Sequence, residues 1–226
     1  MTYGKIISGI FRQRPNRFVA HVDTEFGPQI CHVKNTGRCK ELLVNGAQVY
    51  LEVNDNPARK TKYDLIAVEK GGLLINIDSL APNKVAAEYI PTIFPQHSLL
   101  RAESGFGNSR FDFYLETQDQ RWFIEVKGVT LEDQGVVMFP DAPTSRGTKH
   151  LLGLCDSVSM GYRACVLFVV QMAGARYFTP NIKNDPDFAE ALREAASRGV
   201  KIMAVDCDVT PNSISARQNV PVKLVV

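Results

Sequence analysis

The sequence predicts a two-domain α+β / α/β chain: an N-terminal OB-like β-barrel over residues 1–81 and a C-terminal mixed sheet flanked by helices over residues 82–226. Three observations carry this. The first eighty residues read as short strands with one brief helical turn after the third. A break rich in turn formers, Asp78-Ser79-Leu80-Ala81-Pro82-Asn83, follows. Beyond it, apolar runs of strand length alternate with helical patterns, which signals a sheet covered by helices.

The barrel strands come in order. Lys5 to Phe11, Arg17 to Val22 and Gln29 to Val33 precede a helical turn at Arg38-Cys39-Lys40-Glu41-Leu42-Leu43. Asn45-Gly46 then turns the chain into Gln48–Val53, Tyr63–Val68 and Leu73–Ile77. Several short strands with a small helix after the third suit a closed or nearly closed Greek-key barrel of the OB type. In the second domain, Pro82-Asn83-Lys84 opens a helix to Tyr89 or Ile90, and Pro91 and Pro95 place a loop after it. Strand-like runs cover residues 109–115, 121–127 and 135–139. Asp141-Ala142-Pro143-Thr144 reads as a helix start with Asp141 as its cap, and Gly161 ends that helix. Arg163–Val170 is continuously apolar after its first residue, as in a central strand covered on both faces. Asp187–Arg198 is amphipathic, and Val200–Val205 is a further strand.

Composition excludes several classes. No apolar run is long enough to span a membrane, and Met1-Thr2-Tyr3-Gly4-Lys5 leads straight into a strand pattern without a secretory apolar segment. Five scattered cysteines in apolar settings fit reduced, buried thiols in a cytoplasmic protein. They form no C-x-x-C pair and the four histidines are dispersed, which argues against structural zinc. The net charge of +2 is too small to imply a polyanionic partner by itself. Its distribution says more. Basic residues gather near predicted turns of the barrel, and Arg14, Arg17, Lys34, Asn35, Arg38 and Lys40 form the candidate phosphate-contacting surface. Phe18 or Tyr63 is a candidate platform for a base.

The chemistry concentrates in two runs, Ser109-Arg110-Phe111-Asp112-Phe113-Tyr114-Leu115 and Arg121-Trp122-Phe123-Ile124-Glu125-Val126-Lys127. Alternate side chains of a strand point to opposite faces, so Glu125 and Lys127 share one, and Phe111 and Phe113 point away from Asp112. A turn at residues 116–120 folds the runs into a hairpin that gathers Asp112, Glu125 and Lys127. Two carboxylates and an ammonium among aromatic residues are costly to bury unless they pair or bind a metal. Such carboxylates hold Mg²⁺ or Mn²⁺, with Glu103 as a candidate further ligand, and Lys127 is placed to orient a water or neutralise a phosphate. The bland alternative is an ion pair between Lys127 and one carboxylate on a solvated face. Arg146 and Lys149, three apart on the predicted helix, share a face and are candidate phosphate contacts.

These segments resemble the sugar fermentation stimulation protein (SfsA) family. The resemblance rests on Asn35-Thr36-Gly37, Asn108–Phe113, Glu125–Leu131 and Phe139–Leu151, in that order and spacing across nearly the whole chain. It implies an OB-like N-terminal domain and a C-terminal domain like the PD-(D/E)-x-K restriction endonucleases. Asp112 then falls on that superfamily's metal-binding aspartate, Glu125 and Lys127 on its Glu-x-Lys, and Glu103 on its upstream acidic position. Phe111 stands where the motif's proline would be. The implied function is a DNA-binding protein with a metal-dependent phosphodiesterase site. The alternative is a non-catalytic DNA-binding regulator of sugar metabolism genes on a nuclease-derived scaffold.

Overall fold

The computed structural model describes residues 1–35 and 37–225; Thr36, in the Asn35-Thr36-Gly37 segment that carries part of the resemblance, lies outside them. Six strands make up the first sheet: β1 (Ile6–Asn16), β2 (Val19–Thr24), β3 (Gly27–Val33), β4 (Gln48–Val53), β5 (Tyr63–Lys70) and β6 (Leu73–Asn76). Their order is β3-β2-β1-β4-β5-β6, and a parallel pairing of β3 with β5 closes the first five into a barrel. Closure removes the exposed edges that an open sheet would present. The barrel interior is filled by Phe11, Ala20, Val22, Cys31, Val33, Val49, Leu51 and Leu65, all essentially inaccessible. The predicted turn after β3 is present: the Leu43 amide donates to the Cys39 carbonyl at 2.9 Å.

The chain then forms α1 (Ala81–Ile93), β7 (Leu99–Phe106), β8 (Ser109–Glu116), β9 (Arg121–Val129), β10 (Leu131–Asp133), β11 (Val136–Phe139) and α2 (Ser145–Ser159). It finishes with β12 (Arg163–Val170), β13 (Tyr177–Pro180), α3 (Pro186–Ser197), β14 (Lys201–Thr210) and β15 (Ser213–Asn219). The main sheet runs β15-β14-β12-β9-β8-β7, with β9, β12 and β14 parallel and the outer strands antiparallel. A three-stranded sheet, β10-β11-β13, sits beside it. Two apolar layers cover the main sheet. Val85, Ala86 and Ile90 of α1 pack with Phe113, Ile124, Val126 and Leu167 on one face. Leu151 and Leu154 of α2 and Phe188 of α3 pack with Phe111, Phe123, Val166 and Phe168 on the other. Truncating a buried aromatic such as Phe168 there would cost about 3–5 kcal/mol.

Two local expectations are corrected. Helix α1 does not stop before Pro91 but carries it to Ile93. A proline in the last turn removes one backbone bond, and buried Ile90 anchors that turn. Helix α2 is capped not by Asp141 but by Thr144, whose Oγ1 accepts from the Gly147 amide at 3.1 Å. Asp141 instead reaches the barrel, where its Oδ2 accepts the Arg38 amide at 2.9 Å. Gly37 allows that approach, because a Cβ there would lie 2.8 Å from the same oxygen. The five cysteines are buried and unpaired, and burial pushes thiols such as Cys31 and Cys165 up to about 12. Among the described residues, no helix is long and apolar enough to cross a membrane.

Candidate functional site

The hairpin of β8 and β9 pairs Phe113 with Ile124 and then stops. Phe113 faces the α1 layer while Phe111 faces the α2 layer, so the strict alternation expected around Asp112 breaks at that residue. Where the ladder ends, the Asp112 carboxylate takes the place of a backbone partner. Its Oδ2 accepts the Val126 amide at 2.8 Å, and its Oδ1 accepts Asn83 Nδ2 from the first turn of α1 at 2.8 Å. Glu125, one residue earlier on β9, is buried. Its Oε1 receives Lys127 Nζ at 2.5 Å and His150 Nδ1 from α2. Its Oε2 is buried with no hydrogen-bond partner among the described residues.

The two carboxyls are pulled in opposite directions. Burial and then the neighbouring charge of Glu125 push Asp112 above its ordinary value, in spite of its two hydrogen bonds. Burial works against the Glu125 charge as well, but the His150 hydrogen bond and the Lys127 ammonium outweigh it and hold that carboxyl below its ordinary range. Glu125, held low by His150 and Lys127, is therefore the more acidic of the two, and its charge adds to burial in raising Asp112. The structure thus brings Asp112, Glu125 and Lys127 into one cluster and adds Asn83 and His150, to which sequence reasoning gave no role. The available signal for Asn83 was its place directly after a helix-opening proline. For His150 it was its position four residues after Arg146 on the same helix.

Glu103 is corrected. Its neighbours Ala102 and Ser104 pair with Phe113 and Phe111 across the β7–β8 ladder, but Glu103 itself is skipped and its backbone is left-handed, with φ of 54°. Its exposed carboxylate pairs with Arg110. Among the described residues, no three His, Cys, Asp or Glu side chains group closely enough to hold a metal ion, so Glu103 does not join Asp112 and Glu125.

The basic candidates divide. Arg14 donates its terminal N–H groups to the carbonyls of Gly37, Arg38, Arg17 and Asn35, at 2.6 to 2.8 Å. It is a brace inside the barrel loops and has no terminal donor left for a phosphate. Lys34 is held 2.9 Å from Asp78 and 3.6 Å from Glu52. Burial works against its charge, but those carboxylates keep its pKa raised. Asn35 shapes its turn by accepting the Gly37 amide and donating to the Ile77 carbonyl. Tyr63 is buried, which removes it as a base platform, whereas Phe18 is 45% exposed. Arg17, Arg38 and Lys40 are exposed and line a cavity of about 480 Å³ on the barrel, with Arg14 in its wall. Arg146 and Lys149 are exposed on α2, and Arg146 Nε lies 3.4 Å from His150 Nε2, which links that face to the carboxylate cluster.

A crevice of about 300 Å³ runs between the domains, lined by Asn35, Ser79, Pro82, Gly128, Thr130 and Asp141 among others. It adjoins the cluster in sequence at both ends, since Pro82 precedes Asn83 and Gly128 follows Lys127. Gly128 is required there, because a Cβ would lie 2.6 Å from Gln171 Oε1 and 2.7 Å from Pro82 Cγ.

Comparison with known proteins accounts for both halves. Residues 13–77 match the SfsA N-terminal OB domain, and residues 80–213 match the sugar fermentation stimulation protein RE domain. A sugar fermentation stimulation protein homolog of Desulfitobacterium hafniense is 54% identical, covering 100% of this chain and 99% of its own. One of Ruminiclostridium cellulolyticum is 51% identical, covering 99% and 100%. Among solved structures, Pyrococcus furiosus SfsA, described in complex with Ca²⁺, superposes with a TM-score of 0.88 at 28% identity, over 99% of this chain and 98% of that one. With its barrel, its mixed sheet and full-length relatives of this similarity, the chain belongs to the sugar fermentation stimulation protein family.

Proposed function

We propose that this protein is a metal-dependent nucleic-acid phosphodiesterase, with Asp112 and Glu125 as the cation ligands and Lys127 as the ammonium that acts on the attacked phosphate. The observation that carries the reading is Glu125 Oε2, a buried, ionised carboxylate oxygen without a hydrogen-bond donor. Leaving such an atom unpaired is costly, and a hard cation such as Mg²⁺ or Mn²⁺ suits it. Support also comes from the Pyrococcus furiosus relative described in complex with Ca²⁺, another cation that prefers oxygen ligands. When bound, the cation supplies Lewis-acid stabilisation of charge on phosphate oxygen and acidifies a water.

The protein's own groups have separate tasks in this reading. His150 and Lys127 both hold Glu125 Oε1, which orients the carboxylate so that Oε2 is the open atom. Asn83 and the Val126 amide fix Asp112. The Lys127 ammonium has three protons and gives one to Glu125, which leaves donors for a developing phosphate charge. The exposed cations Arg17, Arg38, Lys40, Arg146 and Lys149 hold the polyanion, taken here as DNA.

A second reading, a DNA-binding regulator without cleavage, is favoured by a different observation: no third carboxylate or imidazole joins Asp112 and Glu125 in a metal-holding group among the described residues. Two measurements decide between them. Titration calorimetry with Mg²⁺ or Mn²⁺ should show binding that the double variant Asp112→Asn/Glu125→Gln loses. Labelled DNA and RNA, single- and double-stranded, should then be cut in Mg²⁺ or Mn²⁺ and stay intact in EDTA. Equal metal affinity in the double variant eliminates the site, and metal binding without cleavage of any substrate leaves the regulator.

A further inference from the structure

On the other flank of Phe18 from the basic cavity, a second groove of about 420 Å³ opens on the barrel, lined by Phe18, His32, Arg59, Asn54, Leu80 and others. Its chemistry differs from that of the basic cavity. Its cations are neutralised within the protein: Arg59 makes two hydrogen bonds to Asp64, at 2.8 and 2.5 Å, and Lys34 pairs with Asp78. What it offers instead is apolar surface and oriented polar edges. Phe18 is 45% and Leu80 60% exposed, and both line this groove. The Arg17 guanidinium lies over the Phe18 ring, 4.8 Å from its centroid, and stiffens it as a platform.

His32 is directed by Asp64. Two Arg59 hydrogen bonds help keep Asp64 ionised, so it can only accept, and His32 Nδ1 at 3.0 Å must donate. In the neutral ring Nε2 is then an acceptor, and it makes no hydrogen bond among the described residues. An aromatic face beside a fixed acceptor matches a nucleobase, which has a π-face and amino groups along its edge.

We propose that this groove binds an unpaired nucleobase, and that the nucleic acid the protein grips is therefore single-stranded, at least where it crosses the barrel. Arg17 and Phe18 are consecutive and line different cavities, Arg17 the basic one and Phe18 the apolar one, so this dipeptide joins the two. A strand draped over it lays phosphates on Arg17, Arg38 and Lys40 and turns bases onto Phe18 and His32. A base inside a duplex offers neither face to such a platform. The groove meets the interdomain crevice, because Asn35 and Ser79 line both.

This inference rests on the nucleic-acid-binding part of the proposed function, and the test separates the two. Binding of the full chain to a fluorescent single-stranded oligonucleotide and to a duplex of equal length is measured by anisotropy in EDTA, where cleavage cannot interfere. Phe18→Ala should weaken single-strand binding roughly fivefold to a hundredfold, the range for one base–aromatic stack, and leave duplex binding unchanged. Phe18→Trp should restore it. A 5-iodouracil oligonucleotide should photocrosslink to the peptide containing Phe18. Equal effects of Phe18→Ala on the two substrates, or a crosslink confined to the sheet domain, would overturn the base site while the phosphodiesterase reading stands. Absence of binding to every nucleic acid would overturn both.

Discussion

Asp64 in the barrel and Glu125 in the sheet domain are built alike and finished differently. Each is a buried carboxylate flanked by one cation and one histidine: Arg59 and His32 for Asp64, Lys127 and His150 for Glu125. Each is held below its ordinary pKa by those partners against the opposing effect of burial. In Asp64 both oxygens receive hydrogen bonds, Oδ1 from Arg59 and His32 and Oδ2 from Arg59. In Glu125 both donors converge on Oε1 and leave Oε2 open. A structural ion pair satisfies every lone pair it can, because an unpaired buried oxygen costs about 1–3 kcal/mol. A site that must accept a ligand keeps one direction open at that cost.

The largest effect that separates the two triads concerns their cations. Lys127→Ala should reduce cleavage by roughly a hundredfold or more, as removal of a transition-state donor does elsewhere. Nucleic-acid affinity should stay within about twofold, since the exposed cations carry ground-state binding. Arg59, although equally well paired, should have no such effect on rate. Cleavage that survives Lys127→Ala would point to a contaminating enzyme or to another site.

The next effect is on stability. Asp64→Asn should cost about 2 kcal/mol by urea unfolding near neutral pH, less than a fully buried pair because Arg59 and His32 retain contact with water. A depressed carboxyl contributes stability that is complete above the ordinary aspartate range and is lost as pH falls through the depressed value. The gap between wild type and variant should therefore close below about pH 4. Metal affinity should not change. A shift of the Mg²⁺ or Mn²⁺ isotherm in Asp64→Asn would mean that the satisfied triad is not merely structural.

The sequence carried the barrel and the hairpin because both are written in period-two alternation and in turn residues at fixed places, such as Asn45-Gly46 and the 116–120 turn. It also carried the pairing of Glu125 with Lys127, which needs only two residues on one face of a strand. It did not carry β13 and β15, whose short or mixed polar runs, Tyr177–Pro180 and Ser213–Asn219, join sheets at positions only tertiary neighbours supply. Glu103 was read from its place upstream of the hairpin and from the family resemblance, and neither shows that its backbone is left-handed and its carboxylate paired with Arg110. Arg14 and Lys34 were misread for a general reason. A basic residue near a turn looks the same in sequence whether it faces water or reaches back to cap carbonyls and carboxylates.

That last ambiguity yields the smallest and most discriminating effect. Arg17, Arg38 and Lys40 are exposed around one cavity that Arg14 helps to wall. On single-stranded DNA each phosphate contact contributes about −0.7 to the slope of log affinity against log salt. Arg38→Ala combined with Lys40→Ala should therefore reduce the magnitude of that slope by about 1.4 if both touch phosphate. Arg14→Ala should behave differently. Its four terminal donors end on backbone carbonyls, so its loss should lower stability by about 2 kcal/mol and leave the slope nearly unchanged. The two variants thus distinguish a cation that meets the nucleic acid from one that holds the loops that do. A slope that falls equally in Arg14→Ala would return Arg14 to the contact surface and require the loop around Asn35 to open on binding. A slope unmoved by Arg38→Ala/Lys40→Ala would shift the phosphate contacts from the barrel to Arg146 and Lys149 beside the carboxylate cluster.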